Sequence, residues 1–222
     1  MNIGIFGSGI VGQTVGQGLA RLGHRVTIGT RDPSNLDEAR GQAPSLQSWL
    51  TAVGPAGRVD TFAGAAGSAD LLINATNGSG SLAALQSAGA GLAGKVLLDI
   101  ANPLDFSQGM PPTLFVKDSD SLAEQVQRAH PELKVVKALN TMSAHLMVNP
   151  RALAGGDHTV FLSGDDAGAR AQVRELLESL GWTDILDLGE LSTARGTEML
   201  LPLWLRTWQA LGTADFQFKV VR

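Results

Sequence analysis

An α/β fold with a doubly wound, mostly parallel sheet is what this sequence predicts, on three observations. Short β-branched runs alternate with helical stretches along the whole chain. A glycine-rich turn, "GSGIVG" at 7–12, joins the first such run to the first helix. Strand-like runs, "HTVFLSGDD" and "WTDILDL", continue past residue 157. Strands that alternate with helices are joined by crossovers, which cover a parallel sheet on both faces.

Taken in order, residues 2–6 read as a strand, 10–22 as a helix and 25–29 as a second strand. A weaker strand is read over 58–62, and stronger ones over 71–75 and 95–100, with a helix over 82–88 between them. Residues 121–129 read as a helix and 134–139 as a strand. Two more strands, 159–163 and 183–188, flank a helix over 167–180, and a last long helix is expected over 193–211. The result is a Rossmann-type sheet of about eight strands with a small C-terminal helical elaboration. The expected division is a nucleotide-binding domain over 1–150 and, over 151–222, an α/β extension packed on the same sheet that completes the substrate pocket. The longest irregular stretch, "DFSQGMPPTLFVKDSD" at 105–120, is a candidate binding loop or a packed surface loop.

The totals narrow the function. A chain of 222 residues that is 44% hydrophobic can bury a sizeable core. A net charge of −4 argues against a general nucleic-acid partner. The absence of cysteine removes disulfides, thiolate metal sites and a cysteine nucleophile, and fits a reducing cytoplasm. Met1 leads directly into an apolar run with no signal-peptide pattern, and no apolar stretch reaches the roughly 20 residues of a membrane helix. A cytoplasmic protein without a membrane partner is expected.

Gly7, Gly9 and Gly12 form G-x-G-x-x-G in the context that gives the motif meaning, after a strand and opening a helix. Gly7 would allow the tight turn, Gly9 the approach of a pyrophosphate, and Gly12 close helix–strand packing. The intervening Ser8, Ile10 and Val11 belong to the same turn, whose free N–H groups meet phosphate at the helix's positive end. At the end of the second strand, where an NAD site places an acidic residue, the chain has Thr30 and Arg31. A hydroxyl and a guanidinium attract a 2′-phosphate that a carboxylate would repel, so NADP(H) is expected over NAD. Asp32 reads as a turn residue before Pro33.

A ligand of such a sheet lies beyond the carboxyl ends of its strands. There the chain places Thr76 and Asn77, then Ala101 and Asn102, then Asn140, Thr141 and Met142. These groups can hydrogen-bond a ribose or carboxamide and leave room for a flat ring, although Asn also serves as ordinary loop capping. No catalytic acid, base, nucleophile or metal set emerges, and the four histidines are scattered. Hydride transfer between two rings needs alignment of donor and acceptor carbons rather than a side-chain nucleophile. The C-terminal stretch is rich in Leu and Trp all round, which predicts a buried helix in the core or at a subunit interface, with Pro202 kinking or restarting it.

"IGIFGSGIVG…GHRVTIGTRDP", "KVVKALNT", "SGDD" and "LPLWLRTWQALGTADFQFKV" together resemble the F420-dependent NADP oxidoreductases over nearly the whole chain. The resemblance implies reversible hydride transfer between NADPH and a deazaflavin, coenzyme F420, in a dimeric protein. It puts 2′-phosphate contacts on Ser8, Thr30 and Arg31, and the pyrophosphate turn on Gly7, Gly9, Ile10 and Val11. The nicotinamide region falls on Thr76, Asn77, Ala101 and 140–142, with the deazaflavin beside it against the irregular loop and the C-terminal helix. The chain departs from the familiar G-G-T-G-x-x-G turn by one glycine and carries Ser8 in the Thr position. It also has Asn140 where some members have His, and differs over 102–115. Two other readings stand beside this one: a reductase of another flat acceptor such as a flavin, quinone or small carbonyl compound, and an NADP(H)-binding redox sensor without turnover. Hydroxyacid dehydrogenases and pyrroline-carboxylate reductases would need a mostly helical second half. Membrane metalloreductases that reuse this domain would need membrane helices.

Overall fold

The computed structural model describes residues 1–39 and 41–222. In chain order the first half holds β1 (Asn2–Phe6), α1 (Ile10–Arg21), β2 (Arg25–Thr30), α2 (Leu46–Val53), β3 (Gly57–Thr61), α3 (Phe62–Ser68), β4 (Leu71–Asn74), α4 (Ser81–Ala88) and β5 (Val96–Asp99). Then follow β6 (Leu104–Asp105), β7 (Thr113–Leu114), α5 (Leu122–Ala129), β8 (Lys134–Ala138), α6 (Ala144–Val148), β9 (Val160–Gly164), α7 (Ala167–Ser179), β10 (Ile185–Asp187), α8 (Ala194–Met199) and α9 (Leu201–Leu211).

Eight strands make one sheet in the order β10-β9-β8-β5-β4-β1-β2-β3. Only the β8–β9 pair is antiparallel, with Lys137 opposite Ser163. Alternate strand residues feed two cores. Ile3, Ile5, Ile73, Leu98, Val136 and Leu162 pack with Val15, Leu19 and Val173 on one face. Phe6, Leu72, Leu97 and Val135 pack with Leu85, Val126 and Ala194 on the other. Strands buried on both faces read as continuous apolar runs, which is why they were visible in the sequence.

Beside the five-residue α6, two helices were not foreseen. Ser45 caps α2, accepting from the Ser48 N–H, and Trp49 from that helix donates its indole N–H to the Gln13 carbonyl at 2.9 Å. The other, α3, begins at Phe62, where the sequence predicts the end of a strand; Thr61 caps it. Its Ala and Gly content gives almost no apolar periodicity, but it lets the helix lie against β1. A Cβ on Gly4 would stand 2.7 Å from the Ala65 carbonyl oxygen.

The expected last helix is two, α8 and α9, divided at Leu200 with Pro202 in the first turn of the second, where a missing N–H costs nothing. Within the single chain its burial is partial. Leu201 and Leu205 are buried, whereas Leu203, Trp208 and Leu211 are 54%, 39% and 56% exposed. The irregular 105–120 stretch holds β7 and the end of β6, which pair antiparallel.

Candidate functional site

The glycine turn stands at the carboxyl end of β1. Gly7 has φ of 121°, a region L side chains rarely enter, and a Cβ there would meet the Ala75 carbonyl oxygen at 2.3 Å. A Cβ on Gly12 would be 2.0 Å from the Gly7 carbonyl oxygen. Both glycines are therefore demanded by the protein's own packing. Gly9 differs, because nothing lies within 4 Å of its missing Cβ. The space it leaves faces outward, where a ligand can approach. Gly9 also begins α1 with no side-chain cap, and the first helical N–H bond runs from Gln13 to Gly9. The N–H groups of Ile10, Val11 and Gly12 thus lack an intrahelical partner and stand at the positive end of a 12-residue helix, where an anion can meet them.

A groove runs across this turn as two joined cavities. The first, of about 490 Å³, is lined by Gly7, Ser8, Gly9, Thr30, Arg31, Phe62, Thr76 and Asn77 among others. Arg31 is exposed at its rim, and among the described residues no carboxylate forms an ion pair with it. Asp32 is turned away into an Asx turn, accepting from the Ser34 N–H at 3.0 Å and the Ser34 hydroxyl at 2.6 Å. The second cavity, of about 450 Å³, is lined by Gly9, Ile10, Val11, Thr76, Asn77, Ala101, Asn102, Leu104 and Phe106 among others. Gly9, Ala75, Thr76 and Asn77 line both and form the waist.

Most of the residues singled out in the sequence thus meet at one groove; Gly12 lies buried beneath it. The 140–142 group stands apart. Asn140, Thr141 and Met142 are 3%, 2% and 6% exposed and line neither cavity. The Asn140 amide is used internally, donating to Asn102 Oδ1 at 2.9 Å and to the Thr197 carbonyl at 3.1 Å, while Asn102 donates back to the Asn140 carbonyl at 2.8 Å. It braces Asn102 from behind.

Sequence reasoning missed two things. Phe62 and Leu104 line the groove from stretches that gave no motif, beside Phe106 of the candidate loop. Beneath it lies a buried ionic cluster. Lys137 Nζ, wholly buried, is 2.8 Å from Asp99 Oδ2 and 2.8 Å from Glu198 Oε1, and also donates to the Ala101 carbonyl. Glu198 in turn accepts from the N–H groups of Leu122 and Ala123 at the start of α5. Burial is the largest influence on the Lys137 pKa and pulls it down, but Asp99 and Glu198 together outweigh it, so the value lies above that of an ordinary lysine. From Asp99 hydrogen bonds continue through Asn74 to Thr76 at the waist. The signal available was a single Lys inside the apolar run "KVVKAL".

The fold and this groove define a class, the NADP-dependent oxidoreductases built on a Rossmann sheet. The chain belongs within it to the F420-dependent NADP oxidoreductase family. The description "NADP oxidoreductase coenzyme F420-dependent" matches residues 2–103. A crystal structure from Arthrobacter sp. FB24, provisionally described as an F420-dependent NADP-reductase, is 57% identical, with a TM-score of 0.95 over all of both chains. A hypothetical protein of Sinorhizobium meliloti is 26% identical, with a TM-score of 0.67 over 86% of each chain. Metalloreductase STEAP3 of Rattus norvegicus is 32% identical over 216 residues, which are 95% of this chain. The chain spans 39% of that curated relative's length. The shared portion is thus the nucleotide-binding part of a longer relative, and the membrane helices expected of membrane metalloreductases would lie outside it. Among the described residues, no helix is long and apolar enough to cross a membrane.

Proposed function

We propose that the protein transfers hydride reversibly between NADP(H) and a deazaflavin of the F420 type. The observation that carries this reading is the groove itself: one end carries an exposed guanidinium, the middle carries uncapped helix N–H groups, and the far end opens between Asn102 and Phe106. In this reading Ser8, Thr30 and Arg31 hold the 2′-phosphate, and Gly7, Gly9, Ile10 and Val11 hold the pyrophosphate. Thr76, Asn77, Ala101 and Asn102 hold the nicotinamide half, with Asn140, Thr141 and Met142 supporting Asn102 from within. NADP(H), when bound, supplies or takes the hydride. The chain's part is to orient the ring and keep its second face open. Among the described residues, no titratable side chain lines the second cavity, which suits a transfer that asks only for alignment.

The 105–120 stretch fits the role of second-ring wall. Phe106 lines the nicotinamide end, and Met110 and Pro111 share a 210 Å³ cleft with Leu205 and Trp208 of α9. The exposed Leu203, Trp208 and Leu211 favour a homodimer. We read residues 1–150 as the NADP domain, 151–222 as the extension that completes the pocket, and the cytoplasm as its compartment.

The test is to mix protein, NADPH and oxidised F420 and follow the visible absorbance of the deazaflavin. Bleaching at a rate proportional to enzyme is the expected result. No bleaching, with turnover on a flavin or quinone instead, reassigns the acceptor. Tight NADPH binding with every acceptor inert makes the protein a sensor. Arg31→Asp tests the cofactor end. Loss of one charge-assisted contact, worth about 1.5–3 kcal/mol, lowers NADPH affinity about 10- to 100-fold while leaving NADH affinity nearly unchanged.

A further inference from the structure

We propose that Thr76 serves as a hydrogen-bond acceptor for the nicotinamide half of the dinucleotide, and that Asp99 sets this polarity through the Asn74 amide. The proposal rests on the reading that the groove holds NADP(H) with that half against the waist.

A carboxylate can only accept. Lys137 occupies Asp99 Oδ2 at 2.8 Å, so Asp99 Oδ1 is left to take the Asn74 Nδ2 hydrogen, also at 2.8 Å. That bond decides which end of the Asn74 amide faces where. Nδ2 faces Asp99 and Ser81 Oγ, the latter at 3.1 Å, and Oδ1 faces Thr76. Asn74 Oδ1 then accepts from the Thr76 hydroxyl at 2.7 Å and from the Thr76 N–H at 3.3 Å. The hydroxyl proton of Thr76 is thereby spent inward. Ser81 Oγ, 2.8 Å from Thr76 Oγ1, is left as donor to it. A hydroxyl oxygen has two lone pairs, and one remains.

Thr76 therefore offers the groove an acceptor and no donor. A phosphate oxygen would be repelled there. The complement is a donor, and the nicotinamide half carries two kinds, the ribose hydroxyls and the carboxamide N–H. Asn74, Ser81 and Asp99 are fully buried and Lys137 is 1% exposed, so water does not compete to reset the chain of bonds. Asp99, Asn74 and Lys137 are positioning residues that act through Thr76.

The Asp99→Asn variant makes this testable, because Lys137 can only donate. The new amide must turn its oxygen to Lys137 and its NH2 to Asn74. Asn74 is then driven to flip, so that its oxygen faces Ser81 and its NH2 faces Thr76, and the Ser81 and Thr76 hydroxyls lose the arrangement that held Thr76 as an acceptor only. Calorimetry with three probes reads the consequence: 2′,5′-ADP, 2′-phospho-ADP-ribose and NADP+. Loss of one neutral hydrogen bond, at about 1 kcal/mol, is about a fivefold change in Kd. Thr76→Val is expected to weaken NADP+ by about that factor, Thr76→Ser to restore it, and neither to alter 2′,5′-ADP. A loss shared by 2′-phospho-ADP-ribose assigns the ribose hydroxyl as donor, and a loss confined to NADP+ assigns the carboxamide. Asp99→Asn is expected to reproduce the loss on NADP+, and adding Thr76→Val to it to cost nothing more. Should Asp99→Asn fail to fold, Asn74→Leu frees the same hydroxyl and enters the same cycle.

The proposal is overturned if Thr76→Val binds NADP+ like wild type, if the two losses add in full, or if 2′,5′-ADP weakens alongside. Indifference to Thr76→Val alone removes this inference. Indifference of NADP+ to Arg31→Asp as well removes the groove reading beneath it.

Discussion

At the Arg31 end of the groove, Gly7, Ser8, Gly9, Thr30 and Arg31 come from two stretches joined by one helix and one strand. At the Asn102 end, Thr76, Ala101 and Asn102 come from loops after β4 and β5, backed by Asn140 after β8 and by Glu198 and Thr197 of α8. The Arg31 end carries an exposed guanidinium to which, among the described residues, no carboxylate is paired. The other end presents few groups of its own and orders them from below with buried charge. In the proposed reading, one end recognises a phosphate by local chemistry. The other is held by long-range contacts that never touch the ligand.

Breaking the buried support should do the most damage. Lys137→Met leaves Asp99 and Glu198 uncompensated at 0% and 2% side-chain exposure, and is expected to cost about 3–5 kcal/mol of stability by denaturant unfolding. If Lys137→Met unfolds like wild type, the cluster is not what holds the Asn102 end. Smaller is the effect of Gly12→Ala, whose methyl group collides with the Gly7 carbonyl. About 1–3 kcal/mol is expected, seen as a lower Tm.

Gly9→Ala sharpens the contrast, since its methyl group meets no protein atom. Its Tm should stay near wild type while NADPH affinity falls about tenfold or more, the cost of displacing one charge-assisted backbone contact. A change in Tm without a change in affinity would make Gly9 structural like its neighbours. The smallest effect belongs to a surface pair. Arg128, hydrogen-bonded to Asp120 at 2.7 Å, draws that carboxyl down to about 2. A lowered carboxyl stabilises the fold above its unfolded pKa of about 3.9, and this stability is lost as pH falls toward 2. Arg128 is 60% exposed, so Arg128→Ala should cost under about 1 kcal/mol at neutral pH, and the difference should vanish in acid.

How much was legible follows the same division. The strands showed because burial on both faces makes each a continuous apolar run, as in "VLLDI" and "KVVKAL". The glycine turn and the Thr30–Arg31 pair showed because their chemistry depends on spacing within one βαβ unit. The helix over 62–68 was hidden because Ala and Gly carry no periodic signal, and α9's exposed face because composition alone does not say which side meets a core. Asn140 was placed at the ligand because it follows a strand. Only packing shows that its amide is turned inward to Asn102.

By itself, then, the sequence determined the doubly wound sheet, the dinucleotide turn and the preference for a 2′-phosphate, since each depends on residues near one another in the chain. The tertiary structure decided which of the loop residues face the groove, and it alone joined Asp99, Lys137 and Glu198 into one buried cluster. Three residues from β5, β8 and α8 share no local pattern. A charge in the interior is tolerated only where the fold brings its partners to it.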